Sequence, residues 1–242
     1  MAKLKNLAKY SGIALLLTNF SSCSFQKLIP HHLTSNLTYS HNIVKPNIRI
    51  NIDPTRDKAP IESIVNELEN VPDEIQLFCN NAGGIIEIYD KPMKDHPLFN
   101  CSKRLRKGGS NFFGFYDIDS KTAVVPYSTK EIKKSNVLFE TSERVALHEY
   151  GHLIDYLMGR PSQSQPFVEV FKPYIFFAKR NFVSKFLFRQ NEFNSSQAEE
   201  CFANHFTFFY ASGNSRRELH EFNLDITKYF ANLETQLVQQ GN

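Results

Sequence analysis

The sequence contains no tryptophan, and beyond its first nine residues it carries no excess of positive charge. Its 28 Lys and Arg outnumber its 25 Asp and Glu by 3, and Lys3, Lys5 and Lys9 account for that difference. A chain of balanced charge lacks the basic surface on which nucleic-acid binding depends, so we expect no nucleic-acid partner. The 22 Phe predict a core whose aromatic residues are mainly phenylalanines.

The amino terminus lacks an apolar run long enough for a permanent transmembrane helix, because the run at residues 12–17 is too short. A basic start, this apolar run and small polar residues together predict an export signal over residues 1–23. The signal ends in F-S-S-C at Cys23, which resembles a bacterial lipobox with Phe20 in place of the usual Leu. We therefore expect an exported protein, either secreted or anchored to a membrane through a lipidated Cys23. The alternative is an amphipathic amino-terminal helix in a cytosolic protein.

Cysteines are few, at positions 23, 79, 101 and 201. If Cys23 carries a lipid, an odd number remains. The short loop between Cys79 and Cys101 makes this pair the favoured disulfide, with Cys201 buried beside the site described below. The alternative is that all three are reduced core residues.

The rest of the chain divides into a polar stretch and one domain. Residues 24–58 are polar, with scattered Pro, Asn and His, and predict a tether. Residues 48–52 within it alternate between apolar and polar side chains, which predicts a short first strand. Residues 59–242 are sufficient for one hydrophobic core and form the predicted domain.

Residues 112–126 predict a β-hairpin. Its second strand, residues 122–126, is the last strand expected before the motif described next. As an edge strand it could pair with an extended peptide through main-chain hydrogen bonds. The alternative is a strand that is already paired on both sides.

The segment V-A-L-H-E-Y-G-H-L-I-D-Y at residues 145–156 contains an H-E-x-x-H motif. His148 and His152 are four residues apart, so a helix places both imidazoles on one face, where they can reach one ion. Glu149 lies one step round the helix. In this motif two His ligands hold a zinc ion and the Glu is a general base. The alternative is a chance match between two core histidines.

A zinc site of this kind needs a third protein ligand. A histidine six residues after the motif is excluded, because Asp155 and Met158 stand where H-E-x-x-H-x-x-G-x-x-H requires Gly and His. The ligand must therefore come from elsewhere. The helical segment at residues 194–210 offers Glu199 and Glu200, and periodicity does not separate them.

These two segments resemble the anthrax lethal factor-like zinc peptidases, which include the Pro-Pro endopeptidases. H-E-Y-G-H-L-I-D from His148 matches the family's H-E-x-G-H-x-x-D, and E-C-F-A-x-x-F from Glu200 is similar to its E-[YF]-F-A-x-x-F helix. The resemblance extends over residues 61–214. It implies one Zn²⁺ held by His148, His152 and Glu200, with Glu149 as catalytic acid and base and Glu199 beside the third ligand.

One position departs from the family pattern. The family places a Tyr seven residues before the ligand Glu, where its hydroxyl stabilises the oxyanion, and this chain has Phe193 there. Loss of one oxyanion donor costs roughly 10²–10³ in turnover. Tyr210 and His205 are the nearest polar candidates to replace it. Asp155, one turn after His152, is a candidate to orient a ligand imidazole, or alternatively to cap a loop.

We therefore expect an α+β zincin-like metallopeptidase domain. Its small, mainly antiparallel sheet packs on the H-E-x-x-H helix, and a helical carboxy-terminal half follows. The predicted function is a secreted or lipid-anchored zinc metalloendopeptidase acting on peptide or protein substrates. The alternatives are a catalytically weak or inactive zincin-fold binding module, which Phe193 favours, and a toxin-like effector protease.

Overall fold

The computed structural model describes residues 45–101, 114–128, 141–177 and 195–241. All of them belong to one structural unit, Leu33–Asn242. The export signal at 1–23 with Cys23, the tether up to residue 44, and Phe193 lie outside the described residues. Within these ranges, no helix combines the length and the apolar character needed to cross a membrane.

Four strands and eight α-helices are seen in the described ranges, with short 3-10 helices at Met93–Asp95 and Pro161–Gln163. In chain order they are β1 (Ile48–Asn51), α1 (Ala59–Leu68), α2 (Asp73–Asn81), β2 (Ile85–Tyr89), α3 (Pro97–Cys101), β3 (Phe115–Asp117), β4 (Thr122–Pro126), α4 (Ser142–Leu157), α5 (Gln165–Phe177), α6 (Ser195–Ala211), α7 (Gly213–Phe222) and α8 (Leu224–Gly241).

The sheet has the order β1-β2-β4-β3, which confirms an α+β fold with a small sheet but changes the expected pairing. β1 with β2 and β2 with β4 are parallel, and only β3 with β4 is antiparallel. The prediction of a mainly antiparallel sheet is therefore wrong. The reason is that α1 and α2 form a crossover between β1 and β2, which returns the chain to the same end of the sheet.

Two further expectations change with this topology. β4 lies between β2 and β3, so the alternative of a strand paired on both sides is correct for residues 122–126. β1 pairs with β2 in the register Ile48↔Ile86, so the sheet begins inside the segment that was interpreted as a tether. The first-strand prediction at residues 48–52 is confirmed.

α4 forms the centre of the core, where it contacts α1, β4 and α6. All of its residues from Val145 to Asp155 are buried. A helix buried on every face must find partners for its polar side chains inside the protein. The histidines and carboxylates of α4 are therefore held among neighbouring elements rather than in bulk water.

The aromatic core consists largely of phenylalanines, as the composition predicts. Ring centroids lie 4.2 Å apart for Phe167 and Phe171 and 5.2 Å apart for Phe202 and Phe230. These rings join α5, α6 and α8 into one cluster with the apolar side of α4. Each buried aromatic ring removes roughly 150–250 Å² from water, so this cluster stabilises the helical half strongly.

Cys79, Cys101 and Cys201 form no disulfide within the described part of the chain, and the predicted Cys79–Cys101 disulfide is wrong. Cys79 is buried on α2 beside Tyr150, whereas Cys101 is exposed at the end of α3. Burial raises the pKa of Cys79 and Cys201 to about 12, so both thiols stay protonated. The alternative of three reduced residues is correct, but only Cys79 and Cys201 are core residues, because Cys101 is exposed.

Candidate metal centre

The two motif histidines lie in the middle of α4. The helix begins after Thr141, whose hydroxyl accepts a hydrogen bond from the backbone N–H of Arg144 at 3.3 Å and caps the first turn. His148 and His152 lie about two and three turns after Thr141, and both are buried. Their Nε2 atoms are 3.1 Å apart, as expected for side chains that share a helix face.

Glu200 on α6 completes a cluster that we call the ligand triad: His148, His152 and Glu200. One carboxylate oxygen lies 3.4 Å from His148 Nε2, and the other lies 3.4 Å from His152 Nε2. Nitrogen and oxygen atoms bound tetrahedrally about 2.0–2.2 Å from one Zn²⁺ lie about 3.3–3.6 Å from each other. The two Glu200 contacts fall within this range and the 3.1 Å between the imidazole nitrogens lies just below it, so the triad fits a zinc ion in spacing as well as in donor chemistry.

Glu200 forms the open side of the triad. Its side chain is 60% exposed, in contrast to the two buried histidines. Partial burial of its carboxyl group raises the pKa, but the charge of His152 and hydrogen bonds from both imidazoles outweigh this effect. The pKa of Glu200 is therefore held well below its usual value, and the carboxylate is ionised at neutral pH.

Glu149 is buried next to His148 and packs against the backbone of Gly114. A Cβ atom on Gly114 would lie 2.7 Å from Glu149 Cγ and 3.0 Å from its Oε1. The glycine just before β3 is therefore needed for Glu149 to keep its position. Burial raises the pKa of Glu149 to about 8, with His148 opposing the rise and Glu200 adding to it.

Gly151 explains how α6 comes close enough for Glu200 to reach the histidines. A Cβ atom on Gly151 would lie 3.0 Å from Ala203 Cα and 3.1 Å from Phe206 Cβ. The missing side chain lets the backbones of α4 and α6 approach each other. Ala203 Cα and Phe206 Cβ could not avoid an added Cβ atom by a side-chain rotation. Gly151 of H-E-Y-G-H and Ala203 of E-C-F-A thus pack against each other.

We predict that Gly151→Ala lowers zinc affinity about tenfold and reduces the free energy of unfolding by up to about 2 kcal/mol. In a helix, Ala is more stabilising than Gly by roughly 1 kcal/mol. Overpacking costs more, roughly 1–3 kcal/mol, so the net effect is a loss of stability. Gly213→Ala is the matched control, because its Cβ would meet nothing within 4 Å. Metal titration and urea unfolding measure both effects, and wild-type zinc affinity in Gly151→Ala would contradict this packing role.

Glu199, the other carboxylate considered at the sequence level, faces a different set of partners. Its Oε1 accepts a hydrogen bond from Gln163 Nε2 at 3.0 Å and pairs with Arg160 Nη1 at 3.2 Å. Its Oε2 accepts a hydrogen bond from the Tyr116 hydroxyl at 3.2 Å. The structure thus brings Glu200 to the histidines and holds Glu199 beside them in a buried polar network.

Tyr116 is a residue of this site that sequence reasoning missed. Its ring stacks on the imidazole of His152, with centroids 4.9 Å apart and planes at 17°. The sequence placed it only in a hairpin. The Gly114-Phe-Tyr116 spacing was the available signal, because Gly114, just before β3, contacts Glu149 and Tyr116 on β3 contacts His152.

Asp155 caps the turn after α4 rather than contacting a ligand histidine. Its carboxylate accepts hydrogen bonds from the backbone N–H of Ser162 at 2.8 Å and from its hydroxyl at 2.6 Å. Burial raises the pKa of Asp155 to about 6, although these bonds from Ser162 oppose the rise. Across the described ranges no hydrogen bond joins Asp155 to His152, so the loop-capping alternative describes its contacts.

Tyr210 and His205, the candidate oxyanion donors, are buried in the aromatic core and are not brought to the triad. The Tyr210 ring packs on Phe206 at 4.6 Å between centroids. His205 Nδ1 bonds to the carbonyl oxygen of Cys201 at 2.6 Å, and its ring meets Phe171 edge-on. Burial lowers the pKa of His205 to about 4, so this imidazole is neutral.

Comparison with known proteins agrees with this arrangement. The family described as "Anthrax toxin lethal factor, N- and C-terminal domain" matches residues 35–233. The solved structure of the Pro-Pro endopeptidase PPEP-2 from Paenibacillus alvei superposes with a TM-score of 0.59 and 15% identity, over 77% of this chain and 96% of that one. At this identity the likeness shows a shared fold. A search of curated proteins finds no match. The chain belongs to the anthrax lethal factor-like zinc metallopeptidase family.

Proposed function

We propose that the protein is an exported zinc-dependent metalloendopeptidase in which Glu149 is the general base. One observation carries the proposal: two helices bring His148, His152 and Glu200 to the mutual spacing that one zinc ion requires, with Glu149 beside them. Membership of a metallopeptidase family supports a peptide or protein as the substrate.

The ligand triad would hold the metal through two imidazole nitrogens and one carboxylate. Three protein ligands leave a position open in a zinc site, as in other hydrolytic zinc enzymes. When bound, zinc lowers the pKa of water and polarises a carbonyl group. The exposure of Glu200 places the open side of the triad toward solvent, where a peptide can enter.

Glu149 is suited to carry a proton between water and a leaving amine. A general acid or base works best when its pKa lies near the operating pH, and burial raises the pKa of Glu149 toward that range. A cation nearby would lower this pKa again and favour the ionised base. The carboxylate then accepts the proton of the attacking water and donates it to the departing nitrogen.

The substrate is expected to lie along β3. Among the described residues β3 pairs only with β4, so its other edge is a candidate for main-chain pairing with an extended peptide. Tyr116 on β3 contacts His152, and Gly114, the residue before β3, contacts Glu149. A peptide added to this edge would therefore run past the triad.

Export rests on the amino-terminal pattern of residues 1–23, and anchoring rests on Cys23. A mature protein that starts at Cys23 and carries a lipid would remain on the outer side of the producing membrane. A mature protein released from that membrane would be secreted. Fractionation of the producing cell, followed by mass analysis of the mature amino terminus, separates these two forms.

Cleavage profiling tests the enzymatic proposal. We predict that the purified protein binds about one zinc per chain, cleaves members of a diverse peptide library, loses cleavage with a chelator and regains it on zinc addition. Mass spectrometry measures the zinc content, and liquid chromatography identifies the cleavage products. Zinc binding without any cleavage would instead support the inactive binding module. Absence of zinc binding would contradict both the enzymatic proposal and the inactive binding module.

A further inference from the structure

The His152 imidazole lacks the support that usually orients a metal-binding histidine. Such a histidine commonly donates its second ring N–H to a carboxylate or carbonyl oxygen, which fixes the ring plane. Within the described residues, Nδ1 of His152 is buried and has no hydrogen-bond partner. Asp155, one turn away, directs its carboxylate to Ser162 instead.

Tyr116 covers the face of that same imidazole. The two rings are nearly parallel, at 17°, with centroids 4.9 Å apart. Offset stacking of this kind stabilises one ring orientation, because rotation of the imidazole about its Cβ–Cγ bond would drive its edge into the tyrosine ring. The stack therefore restricts the rotation that a hydrogen bond at Nδ1 would otherwise restrict.

Tyr116 is in turn held by Glu199. Its hydroxyl donates to Glu199 Oε2, and Oε1 of the same buried carboxylate accepts from Gln163 and pairs with Arg160. Arg160 adopts a left-handed backbone conformation with φ of 64°, which is unfavourable for a residue with a side chain. Its ion pair with Glu199 joins the turn after α4 to this buried carboxylate.

We infer that Tyr116 is a positioning residue for the metal ligand His152: its ring sets the imidazole plane, and Glu199, Gln163 and Arg160 set the position of Tyr116. This inference rests on the proposed zinc-dependent function. The hydroxyl donates to Glu199, so we assign the positioning role to the ring, which stacks on His152.

Two substitutions separate the ring from the hydroxyl. Tyr116→Leu removes the stack, and Tyr116→Phe keeps it while removing the bond to Glu199. Tyr156→Leu is the matched control, because Tyr156 is a half-buried aromatic residue on α4. It makes no ring contact with either motif histidine among the described residues. Circular dichroism and thermal unfolding establish that each variant is folded.

Zinc affinity and metal geometry are the first measurements. We expect Tyr116→Leu to weaken zinc binding about 10–100-fold, the range seen when a group that orients a ligand is lost. Tyr116→Phe should weaken it by less than about tenfold, and Tyr156→Leu should bind as wild type. The visible spectrum of the Co²⁺-substituted protein should shift in Tyr116→Leu and stay close to wild type in Tyr116→Phe.

A metal-free measurement separates this inference from the proposed function. In ¹³C-histidine-labelled apoprotein, the His152 ring resonance, assigned by its loss in His152→Asn, should move downfield in Tyr116→Leu because the ring current of Tyr116 is gone. An unshifted His152 resonance, or wild-type zinc affinity and Co²⁺ spectrum in Tyr116→Leu, would overturn the positioning role. A wild-type protein that binds zinc but cleaves nothing would overturn only the enzymatic proposal.

Discussion

Glu149→Gln is expected to lower peptide cleavage about 10²–10⁴-fold, the range attributed to a positioned general base, while zinc stays bound at wild-type affinity. Glutamine has nearly the shape of glutamate but cannot accept the proton of water as a carboxylate does. Steady-state kinetics on a peptide identified by library profiling, together with zinc content, measures the two effects separately. The loss should appear in kcat rather than in KM.

Glutamine is preferred to alanine at this position because Glu149 packs against Gly114, and a shorter side chain would leave space beside the triad. Glu143→Gln is the matched control. Glu143 lies in the first turn of the same helix, away from the triad, and its carboxylate accepts a hydrogen bond from Ser63. Cleavage by Glu143→Gln should equal wild type. Undiminished kcat in Glu149→Gln would remove Glu149 from the mechanism.

The two histidines could be predicted from sequence because their relation is local. Four residues along a helix bring two side chains onto one face, whatever the rest of the fold does. Their Nε2 separation of 3.1 Å follows from this geometry. The glycine of the motif was visible as well, but its purpose depends on Ala203 and Phe206 from a distant helix, which no local pattern reveals.

Helical periodicity alone could not decide whether Glu199 or Glu200 is the third metal ligand. Consecutive helical residues point about 100° apart, so only one of the two can face the histidines. Both lie within an apolar helix, and spacing alone did not decide between them. The family resemblance selected Glu200, and the structure brings that carboxylate to both imidazoles while Glu199 meets Arg160 and Tyr116.

The direction of sheet pairing and the contact between Tyr116 and His152 could not be predicted from local sequence patterns either. Alternation of apolar and polar residues indicates a strand but is identical for parallel and antiparallel pairing, so the direction of β1 and β2 was not encoded locally. The stack of Tyr116 on His152 likewise depends on how β3 packs across α4. The disulfide prediction considered loop length and ignored that Cys79 faces the core while Cys101 is exposed.

Glu200 joins α6 to the two histidines of α4. Both of its carboxylate oxygens lie 3.4 Å from an imidazole nitrogen, and the low pKa of this carboxyl group keeps it charged. Without the carboxylate, the histidines would offer a zinc ion two neutral ligands only. Two ligands fall short of the three that hydrolytic zinc sites use.

Glu200→Gln is accordingly expected to weaken zinc binding by more than about 100-fold, beyond the 10–100-fold loss typical of groups that only orient a ligand. Glu199→Gln should cause a smaller loss, because Glu199 acts through Tyr116, and exposed Glu218→Gln on α7 should cause none. Competition with a chromophoric chelator gives all three affinities, and cleavage at limiting zinc should follow the same order. If Glu199→Gln were the more damaging of the two neighbouring substitutions, Glu199 rather than Glu200 would be the third ligand, and α6 would have to turn relative to α4 when metal binds.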